Sequence, residues 1–390
     1  MNMRRILTLL LALLFLPLPA LCAETEAADI TSLAQIAVSR NLDAVDKLLD
    51  GSYATCWSSD KYARIEFSLP ENAPCFGLYV NLYHLPQAYG VQVYSNGEWV
   101  DAYVPETIYY NQFIPLNGET HFSLYAKKGM SVSGVRLFGA GTLPPDVQIW
   151  QPPYDKADLL LLAAHPDDEL LWFGGLLPTY AGEKGLKVQV AYMTSRAPRR
   201  RNELLDGLWT CGVRHYPVLG VFADKYTNSL DQLYRDWVSK WKVEQYITYL
   251  LRTYRPEVVV TQDRNGEYGH AAHKALARST IQAVKIAANP NKNTDRLKGL
   301  ETWQIKKLYL HLYSTGRIQM DWSLPLAAFG GKTSLEVSQE AFQKHVSQRD
   351  KEYAIQDYGP NDCRLFGLAF SAVGEDVEKN DFFEHIQLAE

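Results

Sequence analysis

Apolar and polar positions follow two rhythms along this chain, and the change between them falls near residue 150. In the first part the period is two. Ala63-Arg64-Ile65-Glu66-Phe67-Ser68-Leu69 alternates, as does Leu78-Tyr79-Val80-Asn81-Leu82, and alternation is the mark of a strand with one buried face. Gly90–Tyr94 and Glu98–Val100 flank Ser95-Asn96-Gly97, a hairpin signal. Phe122–Tyr125 and Val135–Phe138 add two more short strands. Residues 24–140 therefore predict an all-β sandwich. Pro144, Pro145, Pro152 and Pro153 interrupt regular structure and mark 141–156 as a linker.

From 157 onward strands alternate with helices. Leu159–Ala164, Leu186–Tyr192, Val258–Thr261 and Lys307–Tyr313 are apolar runs of strand length, the form that strands buried on both faces take. Helices are predicted from Leu170, from Asn202 to about Cys211, over Leu230–Tyr254, and from Lys274, with a polar loop over Thr194–Arg201. This order predicts an α/β domain over 157–390, with a parallel sheet and right-handed crossovers.

The amino terminus reads as a signal peptide over 1–23. Arg4 and Arg5 precede the apolar run Ile6–Leu16, prolines break it, and Ala20-Leu21-Cys22-Ala23 offers small residues for cleavage. Secretion or a periplasmic location follows. Cys22 raises a lipid anchor as a second reading, although Pro19-Ala20-Leu21 matches a lipobox poorly. With Cys22 removed, Cys56, Cys75, Cys211 and Cys363 remain, and export makes bridges within each domain (56 with 75, 211 with 363) the expectation, against buried free thiols. A formal charge of −5 over 390 residues carries no nucleic-acid signature. The mature chain has no predicted transmembrane helix.

Candidate chemistry concentrates at two strand ends. Ala164-His165-Pro166-Asp167-Asp168-Glu169 follows the strand at Leu159, at the edge where open α/β sheets bind ligands. Adjacent carboxylates repel unless a cation is present. His165 and Asp168, three apart, can point at one ion, and Asp167 between them can face a bound water. The second cluster follows Val258–Thr261 and contains Glu267-Tyr268-Gly269-His270-Ala271-Ala272-His273, with His270 and His273 at helical spacing. Three protein ligands and a water make a catalytic zinc site. His165, Asp168 and one of the two later histidines supply that count. The donor set suits zinc, and iron or cobalt would also fit it. Glu169 reads as a helix-capping or supporting carboxylate, and His215, His311 and His345 as structural.

The His-Pro-Asp-Asp-Glu run, together with Tyr268-Gly269-His270-x-x-His273, resembles the PIG-L/LmbE-like family of zinc-dependent N-deacetylases. The resemblance covers roughly Asp158 to the end. It implies a Rossmann-like fold, one Zn²⁺ (other divalent metals such as Fe²⁺ being alternatives) on His165, Asp168 and His273, and Asp167 as general base. It also implies His270 as the group facing the substrate carbonyl, Tyr268 as a hydrogen-bond donor to the tetrahedral intermediate, and Arg200, of an Arg-x-x-Glu pair with Glu203, as a substrate contact. The family often carries an aspartate just before the second histidine. Ala272 stands there, so another acid, Asp263, is the expected substitute. More weakly, Leu49–Trp57 resembles the opening of discoidin-like, galactose-binding-type jelly-roll domains, which implies a carbohydrate-binding module.

These readings together predict an exported, metal-dependent amide hydrolase that removes acetyl from an N-acetylglucosamine-type glycan or glycoconjugate. Its partner is a carbohydrate and not a nucleic acid. The alternatives are an amidase on another acyl-amide, such as a thiol conjugate, and a glycan-binding surface protein with an inactive hydrolase domain.

Overall fold

The structure, a computed structural model, describes residues 25–195, 197–292, 297–350 and 353–388. The signal-peptide reading and Cys22 lie outside the described residues. The amino-terminal part is two antiparallel sheets. One has the order Gln35–Val38, Ala63–Ser68, His121–Ala126, Gly90–Ser95, Glu98–Tyr103, and the other Trp57–Ser59, Met130–Phe138, Cys75–His84, Asn111–Glu119. The alternation read from sequence decides which side faces in. Ala63, Ile65 and Phe67 are buried while Arg64, Glu66 and Ser68 are half-buried. The inward set meets Leu78, Val80, Val132 and Leu137 of the facing sheet in one core. Asn96 and Gly97 form the hairpin tip with φ of 53° and 89°, the positive angles that a two-residue primed turn demands.

The second part is a six-stranded sheet in the order Val188–Tyr192, Leu159–Ala163, Val258–Thr261, Lys307–His311, Leu365–Ser371, Arg317–Gln319. The first four are parallel. The last two are antiparallel to their neighbours, so the sheet is mixed where a parallel one was expected. Leu159 and Leu161 bury against one layer, which includes Leu204, Leu208 and Phe342. Leu160 and Leu162 bury against the other, which includes Ile247, Leu250, Leu276 and Val284. Each fully buried leucine of this kind stabilises the fold by roughly 2 kcal/mol.

Two helix boundaries differ from the sequence reading. Pro198–Thr210 is helical from its proline onward, so the basic residues taken as a loop form its first turns; proline is favoured at that first position. The long helix expected over Leu230–Tyr254 is two, Leu230–Asp236 and Lys240–Tyr254. Val238 between them has φ of 77°, and the Ser239 hydroxyl accepts the Lys242 amide and starts a new helix. The four described cysteines are free. Cys75, Cys211 and Cys363 are buried in apolar cores and behave as small hydrophobic residues, which corrects the disulfide expectation.

The segment 141–156 packs closely: Trp150 is buried against the α/β core, and its indole donates to Gln148. Gln148 and Tyr53 both donate to Asp206 on the Pro198–Thr210 helix, at 2.6 and 2.9 Å. Arg201 of the same helix donates to the Tyr83 carbonyl and lies 3.3 Å over the Tyr110 ring. Burial pushes the Asp206 carboxyl up to about 6, against the opposing pull of its Tyr53 and Gln148 bonds. Between the ordinary 3.8 and about 6 the native carboxyl holds a proton that the unfolded one has released, so this group's contribution to stability falls as pH rises through that window. Above it the full cost of the buried charge is in place. Asp206→Asn is expected to flatten the dependence between pH 4 and 6, measured as the wild-type minus variant difference in urea unfolding; an unchanged difference across the window contradicts it.

Candidate active site

The site lies along the carboxyl ends of the parallel strands. His165 comes two residues after Leu159–Ala163, Asp263 two after Val258–Thr261, and His311 closes Lys307–His311. The chain after Leu159–Ala163 next forms the neighbour on one side and later the neighbour on the other, so His165 sits where the strand order reverses and a crevice opens.

Here the two sequence clusters meet. His165 Nδ1 is 3.1 Å from Asp168 Oδ2 and 3.3 Å from His273 Nε2, and His273 Nε2 is 3.3 Å from Asp168 Oδ1. Atoms bound about 2.1 Å from one tetrahedral ion stand about 3.4 Å apart, so the spacing matches a shared cation. Two imidazoles and a carboxylate with their lone pairs turned together would otherwise be poorly satisfied. One ligand atom each of His165, His270 and His273 lies within 4.8 Å of the others. His165 and His270 each keep a buried Nε2 without a hydrogen-bond partner. The residues therefore fit a divalent metal.

Supporting bonds fix each donor. The Asp168 carboxylate accepts the His165 amide and the Trp172 indole, both at 2.7 Å. His273 Nδ1 is 2.7 Å from Glu267 Oε2, which fixes the tautomer that leaves Nε2 open. The other Glu267 oxygen is 2.7 Å from His311 Nδ1. Burial alone would raise the Glu267 carboxyl, but these two histidines hold it down to about 2. Glu267 was given no role from sequence and His311 was read there as structural, although one follows and the other closes adjacent strands.

Asp167 has φ of 111°, a conformation that costs of order 1–3 kcal/mol and persists where the surroundings impose it. Glu169 Oε2 accepts its amide, and Arg200 donates to its Oδ2 at 3.1 Å. Burial pushes its carboxyl up to about 6, with Arg200 pulling down and Asp168 pushing up. Arg200 also donates to the Pro166 carbonyl and to Asp224. Asp224 lies 3.8 Å from His165 Nε2 and was not anticipated. Its loop follows Phe222, whose bridge to Thr194 brings it to the same sheet edge. Glu203 bonds Arg199 and Ser347. His345, read as structural, stands 3.3 Å from Glu169.

His270 is the residue before the Ala271–Ala287 helix, not a member of its face, and His273 lies in the first turn. The Tyr268 hydroxyl is 3.3 Å from His270 Nδ1. Burial and the nearby rings of His165 and His273 press the His270 imidazole down to about 3. No bond joins Asp263 to His270: the Asp263 amide donates to Glu267 instead, so the expected substitution fails. Ala272 is fully buried among apolar side chains, where a carboxylate would be costly.

A family profile described as "PIG-L: GlcNAc-PI de-N-acetylase" matches residues 160–284. That segment is a PIG-L family domain. A 1D-myo-inositol 2-acetamido-2-deoxy-alpha-D-glucopyranoside deacetylase 1 from Catenulispora acidiphila is 27% identical over 197 residues, which are 44% of this chain and 58% of that protein. The chain thus spans less than two thirds of this relative's length. Among solved structures, the N,N'-diacetylchitobiose deacetylase from Pyrococcus horikoshii complexed with its inhibitor MPG is 22% identical, with a TM-score of 0.38, covering 52% of this chain and 75% of that one. A family 32 CBM from C. perfringens NanJ in complex with galactose is 10% identical, with a TM-score of 0.24, covering 29% of this chain and 98% of that one.

Proposed function

We propose that this PIG-L domain is a zinc-dependent N-deacetylase acting on an N-acetylglucosamine-type glycan or glycoconjugate. The observation that carries the reading is the convergence of His165, Asp168 and His273 at 3.1–3.3 Å, with Asp167 beside them. His165, Asp168 and His273 would hold the ion. A divalent cation held there supplies Lewis acidity, which acidifies water and polarises an acyl oxygen.

Asp167 takes the proton of the attacking water on a carboxylate oxygen and returns it to the departing amine. Arg200 fixes that carboxylate from one side, and the strained backbone aims it from the other. His270 remains a neutral imidazole. With the Tyr268 hydroxyl donating to Nδ1, the ring proton lies on Nε2, the buried atom without a partner. That N–H is free to donate to the oxyanion as the carbonyl becomes tetrahedral. The near-complete burial of His165, Asp168, His270 and His273 excludes bulk water and strengthens each of these interactions.

The acetylated amino-sugar substrate is supported by the family description and by the named substrate of the Catenulispora relative. The Met1–Ala23 pattern supports a site of action in the periplasm or outside the cell. The test is acetate release from a panel of N-acetylglucosamine glycosides and oligomers. Activity should disappear with a chelator and return with zinc. A panel with no turnover at full zinc loading defeats the substrate assignment.

A further inference from the structure

Three consecutive arginines stand near the start of the Pro198–Thr210 helix and leave it in three directions, because successive helical residues are about 100° apart. Arg199 turns to Glu203 on its own helix, at 2.9 Å. Arg200 reaches the Pro166 carbonyl and the Asp167 carboxylate, at 2.7 and 3.1 Å. Arg201 goes instead to the amino-terminal sandwich. It is 4% exposed, donates to the Tyr83 carbonyl at 2.8 Å and lies over the Tyr110 ring. The two anchors are tied to each other, since the Leu82 amide donates to the Tyr110 carbonyl at 2.6 Å. Tyr110 is tied in turn to the α/β part, its amide donating to the Tyr216 hydroxyl at 3.2 Å. The groups that act on the charge of Arg201 are the phenols of Tyr110, Tyr216 and Tyr83, and among the described residues no carboxylate pairs with it. Burying a guanidinium without a carboxylate is costly, and a packed apolar side chain would join the two parts at least as well. Stability alone therefore does not account for Arg201.

We propose that Arg201 is a positioning residue: by locking the first turns of this helix to the sandwich, it sets their rotation and so aims Arg200 at Asp167. The sandwich is then a working part of the catalytic unit. The inference rests on the deacetylase reading for its effect on rate. Side-chain tips on a helix lie about 6 Å from its axis, so a rotation of about 10° moves the Arg200 guanidinium by about 1 Å. A shift of that size opens the 3.1 Å bond to Asp167, and it is enough to slow a reaction about a hundredfold. The far end of the helix has attachments of its own, Asp206 to Tyr53 and Gln148 and Trp209 to the Pro145 carbonyl. These fix where the helix lies. Arg201 stands next to Arg200, in the turn where rotation reaches the site.

The experiment measures kcat and KM for acetate release, metal content and melting temperature in the full-length metal-loaded protein and its variants. In Arg201→Met, kcat should fall about ten- to a hundredfold while KM, metal content and melting temperature stay near wild type. Arg201→Lys keeps the charge and a donor and should recover most of the loss. Tyr110→Leu leaves the bond to the Tyr83 carbonyl and should slow the reaction less. The double variant should be no slower than Arg201→Met, since both changes act through one contact. Trp209→Phe loosens the helix at its far end and should keep wild-type kcat. An unchanged kcat in Arg201→Met overturns the proposal, as does an equal loss in Trp209→Phe. Hydrogen exchange supplies a readout that needs no substrate. The Asp167 and Asp168 amides, bonded to Glu169 and to the His165 carbonyl, should exchange about tenfold faster in Arg201→Met, once Arg200 releases Pro166 and Asp167. Unchanged exchange there overturns the proposal whatever the substrate. Faster exchange in a protein that turns over no N-acetylated sugar upholds it, and only the deacetylase reading falls. Should Arg201→Met not fold, Tyr110→Leu carries both measurements.

Discussion

Asp167→Asn is expected to lower kcat for acetate release about a hundred- to ten-thousand-fold, with the bound metal retained. The reasoning is geometric before it is electrostatic. Asp167 is not in the tight triangle formed by His165, Asp168 and His273, so its loss leaves the ion's donors in place. Asparagine has nearly the same volume and keeps one oxygen to accept from Arg200, which now holds Oδ2 at 3.1 Å. It also tolerates positive φ better than most residues, and the backbone here stands at 111°. What asparagine cannot do is take a proton from water. The measurement is steady-state acetate release together with metal content and melting temperature. A variant within tenfold of wild-type kcat would remove Asp167 from the general-base role. A variant that lost both metal and fold would show instead that Arg200 and Asp167 act mainly as a structural pair.

The same residues show how far the sequence could be read. His165, Asp167 and Asp168 are legible because they are nearly contiguous and stand at the end of an apolar run, so local spacing alone brings them to one edge. His270 and His273 were recognised by motif, and the adjacency of Leu159–Ala163 and Val258–Thr261 then joined the two groups. Glu267 and His311 were missed because their contact spans 44 positions and exists only because Lys307–His311 pairs with Val258–Thr261. The common rule that ligand groups gather beyond the ends of adjacent strands could have nominated them. Asp224 lies on a loop that isolated bridges at Val218 and Phe222 and the bond from Arg200 hold to the sheet edge, and such contacts have no periodicity to read. The antiparallel strand Leu365–Ser371 was hidden for a related reason: an apolar run specifies burial, not direction. The break at Val238 was obscured because an apolar residue there keeps the helical period while the backbone leaves it.

Glu267→Gln is expected to weaken metal affinity about ten- to a hundredfold, although Glu267 would never touch the ion. Its two oxygens each take one imidazole proton at 2.7 Å, from His273 on one side and His311 on the other. A carboxylate can accept from both. An amide has one oxygen and one NH₂ group, so one ring must turn or shift its proton. If His273 yields, its Nε2 becomes protonated and closes toward the cation; if His311 yields, its Nδ1 accepts from the amide and only its Nε2–H, donated to the Asp362 carbonyl at 3.1 Å, is kept. The side chain is fully enclosed, so water cannot make good the loss, and breaking such a buried pair is costly. Chelator competition on the purified protein measures the affinity, and the melting temperature of metal-free protein shows how much of the effect is folding. Removing His311 alone, as His311→Asn, keeps the bond to His273 and should shift metal affinity less than Glu267→Gln does. Equal metal affinity in wild type and Glu267→Gln would mean that His273 is oriented by its helix rather than by this carboxylate.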